Sequence, residues 1–254
     1  MLQALLPAEI FAYLLVFSRI GATMMVLPGF GETYVSPRIR LLLGLTVAAL
    51  ITPVLSGRLP ELPTAPVTLA LLVGGEILVG FFIGTVARVL ISALAAGGAM
   101  LAFLSGLSNA LLFNPLLSDQ GALPSVFLSL LGLVMIFVTN THHMMLMALL
   151  DGYTLFAPGA VPAFGDFADV IARVLADSFR LGLQIAMPFI MFGIVFYTGM
   201  GLLARLIAQM PIFFVALPAQ IMLGLFLMMA TFPAAVLWFL NHFQSNFTRL
   251  FLPE

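Results

Sequence analysis

Long apolar runs, separated by short breaks that contain proline and glycine, constrain this chain more than any other feature of its sequence. About six runs reach or approach the roughly 20 apolar residues that a helix needs to span a bilayer. They cover residues 10–27, 39–55, 67–104, 123–150, 170–203 and 212–240. Hydrophobic residues fill 63% of 254 positions and charged residues only 7%, too few for a water-facing surface. The sequence therefore predicts an all-α membrane protein of polytopic hydrophobic hairpins, or a subunit that buries nearly all its surface in an assembly.

The break between the last two runs has the clearest signature of a helical hairpin turn. Proline lacks a backbone donor and disfavours helix in the residue before it, so Met210 is predicted to end one helix and Pro211 to begin the next. Arg205 and Gln209 lie four residues apart and so share one face of the preceding helix. A similar start is predicted at Ser36, which can cap a helix whose first residue is Pro37.

Two of the runs, 67–104 and 170–203, are longer than one simple span. Each is predicted to be either a bent helix or a pair of helices, with breaks at Gly97–Gly98 and at Pro188. Within the first of them, Gly80 and Gly84 form a small-x-x-x-small pattern, which permits close approach of a second helix.

Charged side chains within or at the ends of the apolar runs are the first candidates for function. They are Arg19, Glu76, Arg88, Arg180 and Arg205. A charge at the centre of a lipid-facing helix costs about 2.5–3.5 kcal/mol on insertion scales, so these groups should face protein, water or each other. They could form an ion or proton pathway, but structural pairing between helices is the favoured interpretation.

The sequence contains no motif for an enzyme, a metal site or a nucleic-acid contact. No cysteine is present, and the net charge is −1. The adjacent His142 and His143 would point about 100° apart on a helix, which favours a polar cluster at a helix end over a shared metal site. No hydrolase elbow, zinc-protease pattern or phosphate loop occurs. The prediction is a protein without cofactor, metal or catalytic residues.

The segment after the third run, 105–119, is too polar to continue a span and too apolar for an ordinary loop. Backbone outside helices is tolerated at membrane depth only where it is buried in protein or lines a water-filled cavity. Gly106 would supply flexibility and Asn114-Pro115 a turn. The segment is therefore predicted to be a re-entrant or pore-facing loop, and a surface connection between helices is the alternative.

Several of these residues, in this order, resemble the FliR family, the flagellar type III export-gate membrane proteins whose virulence-secretion counterparts are called SctT. The resemblance covers nearly the whole chain. It rests on Arg19 followed by Pro28, Pro37, Arg38 and Arg40, on Gly106-Leu107-Ser108-x-Ala110 before Asn114-Pro115, on Asn140-x-His142, and on Gly201-Leu202-Leu203-x-Arg205 with Gln209, Phe213 and Pro218. The chain departs from the family pattern at Asn114, Ala208 and Pro211, where members often carry Asp, Pro, and Asn or Ser.

The resemblance implies an export-gate subunit rather than an enzyme. It would assemble with FliP and FliQ, and with FlhB and FlhA nearby, in the inner membrane at the flagellar basal body. Its hairpins would pack in a helical assembly surrounded in part by lipid, with residues 1–254 as a single domain. Unfolded secreted proteins would pass through the assembly. A polytopic secondary transporter that uses Glu76, Arg88 and the 177–180 region is the alternative function.

The resemblance also assigns candidate site residues. A pore plug or gating loop, here called the plug loop, would consist of Ser105, Gly106, Leu107, Ser108, Asn109, Ala110, Leu111, Leu112, Phe113, Asn114 and Pro115. Its Leu111, Leu112 and Phe113 would close a narrow constriction by steric block and dewetting. The hairpin turn and subunit-packing residues would be Arg205, Gln209, Pro211, Phe213 and Pro218.

Overall fold

A computed structural model of the chain describes residues 2–108, 122–159, 164–206 and 212–251. Side chains are described within these ranges except at 2–6, 164 and 212–215. Seven helices lie in this part of the chain, and it contains no strand. They are α1 (Leu2–Val26), α2 (Pro37–Leu55), α3 (Pro66–Leu104), α4 (Leu123–Val138), α5 (Thr141–Leu155), α6 (Phe164–Leu206) and α7 (Ile212–Phe251). The all-α prediction is confirmed.

Five of the helices are long and apolar enough to cross a membrane, and α4 with α5 makes a sixth candidate if that pair is one span. This agrees with the six apolar runs. The run 123–150, however, is not one helix, because α4 ends at Val138 and α5 begins at Thr141. Asn140 between them has a left-handed backbone with φ of 57°. Asparagine tolerates that conformation better than most residues, which explains a helix break inside an apolar run.

The predicted helix start at Pro37 is confirmed. Ser36 has extended backbone, and its hydroxyl accepts a hydrogen bond from the Ile39 amide. The predicted end at Met210 and start at Pro211 lie outside the described residues.

Of the two alternatives predicted for each of the two longest runs, the pair of helices is excluded, because α3 and α6 are each one continuous helix. Helix α3 passes through Gly97 and Gly98 because both glycines serve packing. A side chain at Gly97 would meet the backbone of Gly182 at 3.0 Å, and one at Gly98 would meet Ser125 at 2.5 Å. Helix α6 likewise continues through Pro188. Proline is tolerated within membrane helices because neighbouring groups can satisfy the backbone carbonyl that it leaves without a donor.

The chain forms two compact units. The first consists of Met1–Leu90, Asn140–Val174 and Ser245–Glu254, and the second of Ile91–Thr139 and Leu175–Gln244. In the first unit, Gly80 brings α3 against the Arg19 carbonyl, and a side chain at Gly84 would meet Val26 at 2.9 Å. The close approach predicted from the Gly80–Gly84 pattern is therefore present between α1 and α3. A stack of phenylalanines completes this core, with Phe82 lying 4.1 Å from Phe167 between ring centres.

In the second unit, the C-terminal part of α3 packs against α4, α6 and α7. The Ser125 hydroxyl donates to the Ala95 carbonyl at 2.9 Å, which fixes α4 against α3. Gly182 lies so close to α3 that a side chain there would meet the Ala93 carbonyl at 2.9 Å. The core contains fully buried Phe189 and Phe239.

Candidate functional site

The end of α3 is also the beginning of the predicted plug loop, and it is buried in the second unit. Ser105 has no exposed surface and Gly106 is buried, while Leu107 and Ser108 are half-buried. The Ser105 amide donates to Leu101 at 2.9 Å and the Ser108 amide to Ala102 at 3.1 Å. These bonds satisfy carbonyl groups that a helix end otherwise leaves without partners.

Gly106 closes the helix in a conformation that favours glycine. Its φ is 76°, in the left-handed region that a side chain disfavours. A side chain at this position would also meet the Gln220 amide group at 3.2 Å. The sequence had singled out Gly106 for flexibility, whereas the structure shows it as the left-handed residue that ends α3 against α7.

Gln220 on α7 is the central polar contact of this region, and only 5% of its surface is exposed. Its Nε2 donates to the Leu104 carbonyl at 2.9 Å and to the Tyr197 hydroxyl at 2.9 Å. One turn further along α7, a side chain at Gly224 would meet Ser105 at 2.5 Å. Gln220 therefore joins α3, α6 and α7 at the first residues of the plug loop.

Sequence reasoning missed Gln220 and Tyr197. Neither residue belongs to a spaced motif, so no pattern selects them. The available signal was a single amide inside a long apolar run, because a buried amide must find hydrogen-bond partners within the protein.

The remaining plug-loop candidates, Asn109, Ala110, Leu111, Leu112, Phe113, Asn114 and Pro115, lie outside the described residues. So do Gln209 and Pro211 of the predicted hairpin turn. Phe213 belongs to α7, but its side chain is not among those described. Arg205 lies near the end of α6 and is exposed, and Pro218 is an exposed residue within α7. Arg205 and Pro218 therefore lie at the surface of the single chain.

Two charges predicted to lie inside apolar runs form a buried ion pair in the first unit. The Arg19 side chain is 1% exposed and the Glu76 side chain 3%, and Arg19 Nε lies 2.5 Å from Glu76 Oε2. Arg19 also donates from Nη1 to the Gly152 carbonyl at 3.1 Å and from Nη2 to the Phe156 carbonyl at 3.0 Å. The guanidinium thereby links α1 and α3 to the end of α5.

The other sides of this pair are also occupied. The Arg19 guanidinium carbon lies 4.0 Å from the centre of the Tyr153 ring, a cation–π geometry. Glu76 Oε1 accepts from the Gly159 amide at 3.2 Å. Both side chains are thus paired and hydrogen-bonded, as buried charged groups in proteins generally are.

Arg88 and Arg180 differ from this buried pair. Arg88 is half-exposed, and it donates to the Glu32 carboxylate at 3.0 Å and to the Val26 carbonyl at 3.0 Å. It holds the turn after α1 against α3. Arg180 is exposed on α6.

The turn after α1 also contains Tyr34. Partial burial, and to a smaller extent the Glu32 carboxylate, raises the pKa of the Tyr34 hydroxyl, which therefore stays neutral at physiological pH.

The histidine pair begins α5. His142 and His143 have ring centres 4.2 Å apart. Over the described ranges, no group of three or more His, Asp and Glu side chains has a metal-binding arrangement. Asn140 and the histidines lie at the first turn of α5. The sequence had favoured a polar cluster at a helix terminus here.

Comparison with known proteins bears on the whole chain. The model of the family described as bacterial export proteins, family 1, matches residues 10–246. The chain is 34% identical over 220 residues to the flagellar biosynthetic protein FliR of Caulobacter vibrioides, which covers 87% of this chain and 88% of that protein. It is 30% identical over 240 residues to FliR of Aquifex aeolicus, covering 92% and 90%.

A secretion-system relative is also similar. The secretion system apparatus protein SsaT of Salmonella typhimurium is 27% identical over 166 residues, covering 65% of this chain and 64% of that protein. The family model matches far more than half of the chain, and two FliR proteins match at 30% identity or more over most of their length. The helical architecture and the five or six candidate spans agree with this assignment. The chain belongs to the FliR family of bacterial export proteins.

Proposed function

We propose that this chain is a core subunit of the flagellar type III protein export gate. With FliP and FliQ it forms the conduit for unfolded flagellar proteins across the inner membrane, at the basal body and next to FlhB and FlhA. Its role is structural and gating rather than catalytic, and residues 1–254 act as one gate domain. Membership of an export family supports this proposal, as do relatives named flagellar biosynthetic proteins.

The observation that carries the gating role is the buried start of the plug loop. A surface connection would leave the helix end in contact with solvent, yet Ser105 has no exposed surface and Gly106 is buried. Non-helical backbone at membrane depth is tolerated where protein surrounds it or a water-filled cavity adjoins it. A loop that begins inside the protein is suitably placed to obstruct a conduit.

Exposed apolar side chains support the assembly. Leu50 is 70% exposed, Ile194 64% and Phe226 74%, all on helices of a single chain. Soluble monomers rarely expose apolar surface of this extent, which is expected to be covered by lipid or by other subunits. The exposed Arg205 and Pro218 would likewise lie where neighbouring subunits pack.

The proposal is tested by deleting residues 106–113 in cells that also produce FliP and FliQ. The deletion removes the apolar side chains Leu111, Leu112 and Phe113, so the closed conduit should conduct ions. A membrane-potential dye should report depolarisation when the variant complex is produced. The control variant Leu62→Ser changes an exposed apolar residue in the α2–α3 connection and should leave the potential unchanged.

Recovery of FliP and FliQ with the tagged deletion variant shows that the complex still assembles. An assembled deletion complex with an unchanged membrane potential would overturn the plug role. Single substitutions Leu112→Ser and Phe113→Ser should give a smaller leak than the deletion, because each removes only part of the apolar barrier.

The secondary-transporter alternative finds no support in the geometry. Glu76 is closed in by Arg19 and the Gly159 amide. A carboxylate that carries a coupling ion or proton needs access to water from one side at a time, and this one is 3% exposed with its partners in place. Arg88 is bound to the turn after α1, and Arg180 is exposed on α6.

A further inference from the structure

The buried amide of Gln220 has no role in the family pattern set out above, yet it contacts the first residues of the plug loop. Each hydrogen of its Nε2 has a separate acceptor, the Leu104 carbonyl on α3 and the Tyr197 hydroxyl on α6. Leu104 is the last residue of α3, and its carbonyl is one that the helix itself leaves unpaired. The amide therefore ties the end of α3 to both α6 and α7.

The contacts around Gln220 leave little room for an intermediate arrangement. A Cβ atom at Gly106 would lie 3.2 Å from the carbon of the Gln220 side-chain amide. Ser105 packs against Gly224, which lies one turn after Gln220 on α7. If α3 moved away from α7, the Leu104 carbonyl would lose its partner, and the Gln220 amide would lose one of its two acceptors and keep only the Tyr197 hydroxyl on α6. Buried polar groups without partners are costly, so the hydrogen-bonded state is strongly favoured over a partly opened one.

We propose that Gln220 is a latch: its side-chain amide holds the end of α3 and the first residues of the plug loop, Ser105 and Gly106, against α6 and α7. The role of Gln220 is to fix the position of the residues at which the plug loop begins, at the end of α3. Its consequence for ion passage rests on the gating function proposed above. The positioning itself concerns described residues alone and can be measured separately.

The test measures how often the helix end opens. The chain contains no cysteine, so Ser105→Cys introduces a single thiol at a fully buried position with a conservative change. The complex, purified with its partner subunits in mild detergent, is exposed to N-ethylmaleimide. Mass spectrometry of this chain then gives the rate of adduct formation, which follows the opening of the contact between Ser105 and α7.

Three further substitutions, each combined with Ser105→Cys, separate the latch from a general loosening of the fold. Gln220→Leu removes the hydrogen bond to Leu104, which is the bond lost when α3 opens, and should raise the labelling rate roughly two- to twelvefold. Tyr197→Phe removes the bond that orients the amide from α6 and should raise the rate by a smaller factor. Gln184→Leu makes the same chemical change at an exposed glutamine on α6 and should leave the rate within about twofold of its parent.

Equal labelling rates in the Gln220→Leu variant and its parent would overturn the latch, as would an equal rise in the Gln184→Leu variant. If Gln220→Leu does not assemble, Gln220→Met decides by the same criterion, because it removes the bond to Leu104 and keeps an unbranched side chain of similar length. The membrane-potential assay separates the two proposals. Faster labelling with no leak from the 106–113 deletion would support the latch and reject the plug, whereas a leaky deletion with unchanged labelling would reject the latch alone.

Discussion

Neutralising Glu76 tests whether the buried ion pair supports the first unit. The substitution Glu76→Gln keeps the size of the side chain and an oxygen that can accept from the Gly159 amide, but it removes the charge facing Arg19. The Arg19 guanidinium then stays buried at 1% exposure with only carbonyl oxygens and the Tyr153 ring as partners. An uncompensated charge in this position is the dominant cost.

The expected magnitude follows from burial. Removing one partner of a buried ion pair destabilises a protein by about 3–5 kcal/mol, because the other charge remains out of water. The Arg88–Glu32 pair is a matched control, since its side chains are 49% and 30% exposed. Removing one charge of a partly exposed pair that water can still reach changes stability by only about 0–1 kcal/mol, so Glu32→Gln should cost far less than Glu76→Gln.

The assay is thermal unfolding of the purified complex, followed by loss of helical circular dichroism. For a chain of this size, about 3–5 kcal/mol corresponds to roughly 6–20 °C in Tm. Glu76→Gln should therefore melt well below Glu32→Gln. The double variant Arg19→Met with Glu76→Leu should cost less than the sum of its single changes, because neither charge is left alone.

A Tm for Glu76→Gln equal to that of Glu32→Gln would refute this reasoning. It would mean that Arg19 reaches water or another partner in the folded protein. The double variant should still fall below the parent, since the Gly152 and Phe156 carbonyls and the Gly159 amide lose their partners.

Two further predictions concern packing and helix starts. Gly80→Ala places a methyl group against the Arg19 carbonyl, so it should destabilise the protein by about 1–3 kcal/mol, seen as a lower Tm, while Gly74→Ala on the same helix meets no atom within 4 Å and should be neutral or slightly stabilising. Equal Tm values for the two alanine variants would contradict the close approach of α1 and α3. Ser36→Ala removes the cap of α2 and should cost about 0.5–2 kcal/mol in the same assay, whereas Ser56→Ala just after α2 should cost less; the reverse order would contradict the cap.

Much of the fold could be predicted because the helices follow the apolar runs. In a chain with so few charges, each run must bury its backbone hydrogen bonds within a helix, and its length sets the helix length. Ser36 and Pro37 supplied a local signal for the start of α2, and the structure has the helix start there. Local chemistry sufficed wherever the cause of a boundary was itself local.

The errors came where tertiary packing decides. Gly97 and Gly98 resemble a helix break, since glycine weakens a helix by about 1 kcal/mol, but they lie where neighbouring helices approach α3 too closely for a side chain. The helix end near Asn140 was indicated by the polar cluster there and not by the apolar pattern, which runs through 123–150 without a break. Neither outcome can be decided from spacing alone.

For the candidate site too, the sequence could indicate some of the residues but not which residues they contact. Arg19 and Glu76 were selected as charges in apolar runs, but they are 57 positions apart and only the fold brings them together. Gln220 meets Leu104 across 116 positions, and no periodic pattern relates the two. A polar side chain in an apolar run indicates that it has a hydrogen-bond or charge partner. Which residue is the partner depends on how the helices pack.

Native mass spectrometry tests the central proposal most directly. The tagged chain would be purified in mild detergent from cells that also produce FliP and FliQ, and the mass of the intact complex would be measured. An export-gate subunit should appear as one copy in a larger complex with several copies of both smaller membrane proteins. A lone monomer or a homodimer, with both partners present in the same membranes, would contradict the proposal.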